Sequence, residues 1–344
     1  MYEKDLYLFV TNACPNRCKY CYIKYGHLSM TEEDIDKYIE EYKPLRIIFF
    51  GGEPLVRLDL IKYTVKKYWD SGIIFQIVTS TMSNWDEFIE FYKEYRIPEL
   101  QLSWDGFTDS RIGADGTSIA QRVWDNITKF CNAMSEAGIE TKFDIKTVIN
   151  NNNVKDLVTL HNLYTKLKPY GINGEFVIAH GEDYSDEFYD ELKKLLPLTF
   201  SIDCMYVDHM NKILAYLEQS DGCSCDIGKY ITITPDGKVG NCTALSQYDI
   251  TLDEQISQNR CTAEECQNCK YKCMCDGGCR YERYLAFGKD WPHKHLECTC
   301  KIAEIWYKST EKWLKTLTRK QKRDLIRKIK DYKRWMYKRY KLKV

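Results

Sequence analysis

The sequence predicts an α/β fold: a partial (β/α)6 barrel, then a small cysteine-rich domain and C-terminal helices. Three observations carry this. Short β-rich runs alternate with longer helical patterns from residue 5 to 180, Cys, Gly and Asn replace helical periodicity between 222 and 300, and helix returns after 300. These shifts set the boundaries: 1–195 for the barrel, 196–222 for a helical linker, 223–300 for the cysteine-rich domain and 301–344 for a basic helical tail.

The strand candidates are Leu6–Val10, Arg46–Phe50, Ile73–Thr79, Glu99–Trp104, Thr141–Ile149 and Gly174–Ala179. Helical patterns separate them at about 31–42, 57–70, 84–95, 118–137 and 153–168, and further helices read over 186–219. Thr31 with Asp34 three residues later is a helix start signal. Six β/α units are too few to close an eight-stranded barrel, so an open one is expected. Side chains alternate along a strand, so Gln101, Ser103 and Asp105 share one face and Leu100, Leu102 and Trp104 the other. The same split recurs for Lys142, Asp144 and Lys146 against Phe143, Ile145 and Thr147. Either a polar barrel interior or a solvent-facing strand face would give this pattern.

Hydrophobic residues at 44% and charged residues at 29% are those of an ordinary globular chain, so neither disorder nor a membrane span is indicated. Net charge is zero but unevenly spread: residues 301–344 hold 17 Lys or Arg against 4 Asp or Glu, leaving the rest acidic. Sixteen cysteines are the strongest compositional signal, and 11 of them lie between 223 and 300. No apolar signal region follows Met1-Tyr2-Glu3-Lys4, so the expectation is a reducing cytoplasm, where cysteine clusters bind metal rather than form disulfides.

Cys14, Cys18 and Cys21 stand at spacings of three and two, just after the first predicted strand. Three thiolates on a short loop can hold three irons of a [4Fe–4S] cubane and leave the fourth open, which suits catalysis better than a purely structural site. A zinc loop lacking its fourth ligand is the alternative. A second signature, Gly51-Gly52-Glu53-Pro54, directly follows the second strand. Together these motifs resemble the radical S-adenosylmethionine (radical SAM) superfamily, whose Cys-x3-Cys-x2-Cys loop follows the first strand of a partial TIM-like barrel. The resemblance implies that S-adenosylmethionine binds the cluster. It further implies that Tyr20 lies by the adenine, that Gly51, Gly52, Glu53 and Pro54 receive the methionine amino group, and that Ser80, Ser103 and Asp105 stand at ribose or carboxylate positions.

A second cysteine pattern runs Cys225-x11-Gly237-x4-Cys242, then Cys266-x2-Cys269-x5-Cys275-x3-Cys279, then Cys298 or Cys300. It resembles the SPASM extension of peptide- and protein-modifying radical SAM enzymes, which implies two auxiliary [4Fe–4S] clusters. By that resemblance Cys225, Cys242 and Cys279 serve the first, with Cys223 as an added ligand. Cys266, Cys269, Cys275 and Cys300 serve the second. Cys261, Cys273 and Cys298 are then surplus, and Cys131 and Cys204 read as buried thiols. A zinc domain competes, because Cys266-x2-Cys269 and Cys275-x3-Cys279 are also zinc spacings.

The implied activity is a reaction begun by a 5′-deoxyadenosyl radical on a peptide or protein, fed by an external one-electron donor, as in the maturation of ribosomal peptides. An auxiliary cluster would accept an electron or bind substrate. Sulfatase-maturating relatives carry an Asp after the cysteine matching Cys242; Thr243 stands here, which argues against formylglycine formation. Cys14 lies too near the start for a preceding leader-binding module, so leader recognition is expected from a separate protein or from the basic tail, or is not needed. Competing functions are a small-molecule radical dehydrogenase and a metal-stabilised nucleic-acid-binding protein suggested by the basic aromatic tail. Nucleic acid as the substrate of a radical enzyme comes third.

Overall fold

The structure is a computed structural model that describes residues 5–181, 183–200, 207–218, 230–258, 261–275 and 277–340. Its strands are β1 (Asp5–Thr11), β2 (Arg46–Gly51), β3 (Ile74–Thr79), β4 (Glu99–Ser103), β5 (Phe143–Ile149), β6 (Ile172–Ile178), β7 (Tyr230–Ile233) and β8 (Val239–Gly240). One sheet holds them in the order β6-β5-β4-β3-β2-β1-β7-β8. Strands β1 to β6 are parallel to their neighbours, the α/β arrangement expected from the alternation. Helices α1 (Glu32–Tyr42), α2 (Leu58–Tyr68), α3 (Trp85–Tyr95), α4 (Ala120–Glu136) and α5 (Leu157–Leu167) punctuate the strands. The start signal before α1 is real: Thr31 accepts from the Asp34 backbone and the Asp34 side chain returns the bond to Thr31.

Six strands were expected, and eight are present among the described residues. Tyr230–Ile233 lies parallel to β1, and β8 returns antiparallel beside it. Four residues, three of them buried, are too short a run for alternation to declare a strand.

The described chain divides into two compact units. One comprises residues up to 156, 162–179 and 227–256; the other comprises 157–161, 180–226 and 257 onward. In the first, β1 and β2 are buried almost throughout, as strands covered on both faces should be. Strands β4 and β5 keep the expected alternation, with Leu100 and Leu102, and then Phe143, Ile145, Thr147 and Ile149, buried. Lys146 pairs with Glu175 at 3.5 Å, and Asn173 donates to Asp144 at 3.1 Å, so the polar face is internally bonded.

Near the start of the strands, Arg46 ties four of them together. It pairs with Asp5, with Glu99 at 2.8 Å and with Gln76 at 3.2 Å. Its side chain is only 15% exposed and that of Asp5 9%, so its removal takes the cation away from a buried carboxylate. Arg46→Met is expected to cost the metal-free chain about 3 kcal/mol. A lowered denaturation midpoint checks this, and an unchanged midpoint contradicts it.

The second unit is mainly helical: α6 (Asp186–Thr199), α7 (Val207–Glu218), α9 (Glu264–Gln267), α10 (Lys272–Cys275), α11 (Arg280–Phe287), α12 (Glu297–Thr316) and α13 (Arg319–Tyr340), with α8 (Leu252–Ser257) where the units meet in sequence. Short helices therefore form in the stretch where periodicity vanished. The tail is anchored by an apolar stripe: Leu317, Leu325 and Ile329 are buried together, with Leu214, Trp313 and Leu314 against them. Trp313 stacks on Phe200 with ring centroids 5.3 Å apart. Lys320, Lys322, Arg323 and Arg327 are exposed, and Lys328 is half-buried. No helix of the described residues is long and apolar enough to cross a membrane.

Candidate active site

The loop after β1 packs directly on the turn after β2. Gly52 N–H donates to the Thr11 carbonyl at 2.8 Å and Glu53 N–H to the Ala13 carbonyl at 2.9 Å. This approach is what the two glycines permit. A Cβ on Gly51 would lie 2.3 Å from the Thr11 oxygen, and one on Gly52 2.2 Å from the Ala13 oxygen. Gly51 also holds φ +122°, which other residues rarely adopt. The cysteine loop is thereby fixed to the Gly-Gly-Glu-Pro turn by backbone alone.

The three thiols of the loop lie close together. Burial, helped by the Glu53 carboxylate and by Cys21 and Cys18, pushes Cys14 up to about 12. Burial also raises Cys18, opposed by the Arg111 guanidinium. Partly buried thiols that raise one another's pKa become stable as thiolates when a cation sits among them.

Glu53 is 1% exposed. Its carboxylate accepts from Thr79 Oγ1 at 2.6 Å, from Ser80 N–H at 2.8 Å and from Leu55 N–H at 3.2 Å, while Pro54 opens the turn beyond it. Burial raises its pKa, and these donors pull it back. Ser80 also accepts from Asn16 Nδ2 at 2.7 Å, so β3 is tied back to the cysteine loop. Asn16 is 3% exposed, yet its Oδ1, like Asn12 Oδ1, is buried with no hydrogen-bond partner among the described residues. The Asn16 acceptor, joined to the Glu53 carboxylate through Ser80, suits a cationic amine. With the three-thiol loop, these groups fit an open-site cluster and the amino group of S-adenosylmethionine.

Asp105 is 1% exposed and is engaged from three directions. Its carboxylate accepts from Val148 N–H at 2.8 Å, meets the Tyr20 hydroxyl and pairs with Arg111, whose Nε lies 2.9 Å from Oδ2. Arg111 reaches on to Cys18 Sγ at 4.0 Å and covers the Tyr20 ring at 5.6 Å. Asp105 holds this guanidinium charged against the cost of burial. Tyr20, Asp105 and Cys18 are thus one network, and their link is a residue the sequence reading did not single out. Ser103 is half-buried at the end of β4.

Tyr22, next to Cys21, meets Thr243 oxygen to oxygen at 3.1 Å. Lys24 N–H donates to Gln247 Oε1 at 2.7 Å. The cysteine loop therefore packs on the segment that follows Cys242, itself 7% exposed.

In the second unit, Cys266 and Cys300 are each pushed up to about 12 by burial and by neighbouring thiols. Those neighbours are Cys261 and Cys275 for Cys266, and Cys275 and Cys269 for Cys300. Cys266, Cys269, Cys275 and Cys300 are therefore near enough to act on one another electrostatically, and four thiols are the number of donors a fully ligated cubane takes. Cys261, set aside as surplus, is not separate: its Sγ lies 3.8 Å from that of Cys266. Cys273 instead packs with Met274 and Ala303, and Cys298 neighbours Thr299 and Glu282. Cys279 belongs to this unit and Cys242 to the first. Cys204, Cys223 and Cys225 lie outside the described residues.

Residues 8–164 match the family model of the Radical SAM superfamily. The chain is 24% identical over 258 residues to the tungsten-containing aldehyde ferredoxin oxidoreductase cofactor-modifying protein of Pyrococcus furiosus, covering 70% of each. It is 30% identical over 128 residues to the radical SAM cyclopropyl synthase TigE of Paramaledivibacter caminithermalis, covering 30% of this chain and 27% of that one. The fold is similar to that of anSMEcpe with bound AdoMet, at TM-score 0.66 and 15% identity over 94% of this chain and 98% of that one. The same protein with bound AdoMet and Cp18Cys peptide gives TM-score 0.65 at 17% identity, over 96% and 99%. These likenesses establish the partial barrel.

Proposed function

We propose that this chain is a radical SAM enzyme that modifies a peptide or protein, of the ribosomally made kind, and that its second unit serves SPASM-type auxiliary clusters. The observation that carries the reading is the three-thiol loop pinned by backbone to a buried, donor-rich Glu53. The gathered thiols Cys266, Cys269, Cys275 and Cys300 support the auxiliary assignment.

When bound, the N-terminal cluster and S-adenosylmethionine supply an electron, from an external donor, and a 5′-deoxyadenosyl radical that removes hydrogen from an unactivated C–H bond. The chain's part is to bind and orient. Cys14, Cys18 and Cys21 would hold three irons and leave one for the methionine. Glu53 and Asn16 would receive the amino group, with Gly51 and Gly52 bringing the backbone close and Pro54 and Ser80 fixing the carboxylate. Tyr20, Ser103 and the Asp105–Arg111 pair would line the nucleoside side.

A screen of short peptides against sugars and other small molecules, read as substrate-dependent 5′-deoxyadenosine and a product of changed mass, tests the substrate class. Turnover of a small molecule alone contradicts the peptide assignment. The exposed basic face of α13 suits capture of an acidic peptide, with or without a separate leader-recognition protein. Replacing Lys320, Lys322, Arg323, Arg327 and Lys328 with Gln is then expected to weaken peptide binding and flatten its salt dependence. Screening acts over about 10 Å at 0.1 M salt. Basal 5′-deoxyadenosine formation should be unchanged. An unaltered salt slope would leave the helix a purely structural closure.

A further inference from the structure

The imidazole of His180, the sulfur of Cys279 and the carboxylate of Glu282 present atoms that all lie within 4.8 Å of one another. No other three such groups come as close among the described residues. The arrangement is held in place. Gly181 N–H donates to Glu282 Oε1 at 2.9 Å, and His180 Nδ1 stands 3.7 Å from that same oxygen. Glu282 is 11% exposed, and the Tyr281 ring meets the imidazole edge-on at 6.3 Å. The imidazole thus has the Cys279 sulfur and the Glu282 carboxylate both within 4.8 Å.

A carboxylate that orients an imidazole, which in turn contacts a metal-ligating atom, is a recurrent way of tuning a metal centre. Here the ligating atom is a thiolate, to which an imidazole N–H can donate. We propose that His180 donates a hydrogen bond to the Cys279 thiolate, with Glu282 orienting the ring, and so sets the reduction potential of the auxiliary cluster that Cys279 ligates. The inference rests on the reading of Cys279 as a cluster ligand. Its direction follows from charge. A donor at sulfur stabilises the reduced, more negative cluster more than the oxidised one, so it raises the potential.

The test uses the full-length, iron-loaded chain, both intact and with Cys14, Cys18 and Cys21 replaced by Ala so that auxiliary signals stand alone. An electron-paramagnetic-resonance redox titration compares it with His180→Phe and His180→Gln. Expected is a shift of one auxiliary midpoint to more negative potential in H180F, with part of the shift recovered in H180Q, whose amide keeps a donor, and with iron and sulfide content unchanged. An unmoved midpoint at full iron content overturns the proposal. So does loss of about four irons in H180F, which would make His180 a ligand to one cubane. Stoichiometric zinc in the unaltered chain also overturns it, because the three groups would then be a mononuclear site. The underlying reading fails separately: Cys279→Ala that keeps its full iron content would show that Cys279 is no ligand.

Discussion

Replacing Cys14, Cys18 and Cys21 together with Ala is expected to abolish conversion of S-adenosylmethionine to 5′-deoxyadenosine while leaving most of the iron in place. Three cubanes hold about 12 irons, and loss of the N-terminal one leaves about eight. Iron proposed for the second unit should remain because Cys266, Cys269, Cys275 and Cys300, the thiols assigned to it, lie far along the chain from the loop and are left unaltered. Iron and sulfide analysis beside chromatographic assay of the nucleoside measures both halves. About eight irons in the unaltered chain would remove one auxiliary site, and none left in the triple variant would contradict independent auxiliary sites.

Arg111→Met is expected to carry the largest stability cost of any single change at the site. It leaves Asp105, with a side chain 2% exposed, without its cationic partner. Breaking a buried pair from one side costs about 3–5 kcal/mol. Val148 N–H and the Tyr20 hydroxyl still hold the carboxylate, so the lower end is expected. Adding Asp105→Asn should recover part of the loss, because the double variant buries no lone charge. Chemical denaturation of the metal-free chains measures it. A double variant no more stable than Arg111→Met would mean that charge compensation is not what the pair provides.

Much of this arrangement was legible in the sequence because its signals are local. The Thr31–Asp34 start signal and the two loop motifs are each confined to a few neighbouring residues, the β/α alternation is read one short run at a time, and backbone hydrogen bonding turns such spacing into structure. What remained hidden depends on long-range meetings. Arg111 has no motif of its own and acquires a role only when the chain beyond β4 folds back against Cys18. Tyr230–Ile233 becomes a strand through pairing with β1, more than 200 residues earlier. Cys261 looked surplus because spacing patterns count neighbours along the chain, while its sulfur neighbour is set by packing around Gly277, where a Cβ would lie 2.4 Å from Cys261 Sγ. His180 was passed over for the same reason: its partners Cys279 and Glu282 lie about a hundred residues on.

The central claim is that the Cys14, Cys18, Cys21 loop and the Glu53 turn form one site for reductive cleavage of S-adenosylmethionine. The most direct measurement is 5′-deoxyadenosine released by the unaltered, full-length chain, loaded anaerobically with iron and sulfide and given a one-electron reductant. The account predicts its formation even without peptide, and none when Glu53 is replaced by Leu in a chain of equal iron content. A fully loaded chain that releases no 5′-deoxyadenosine, with or without candidate peptides, would contradict it.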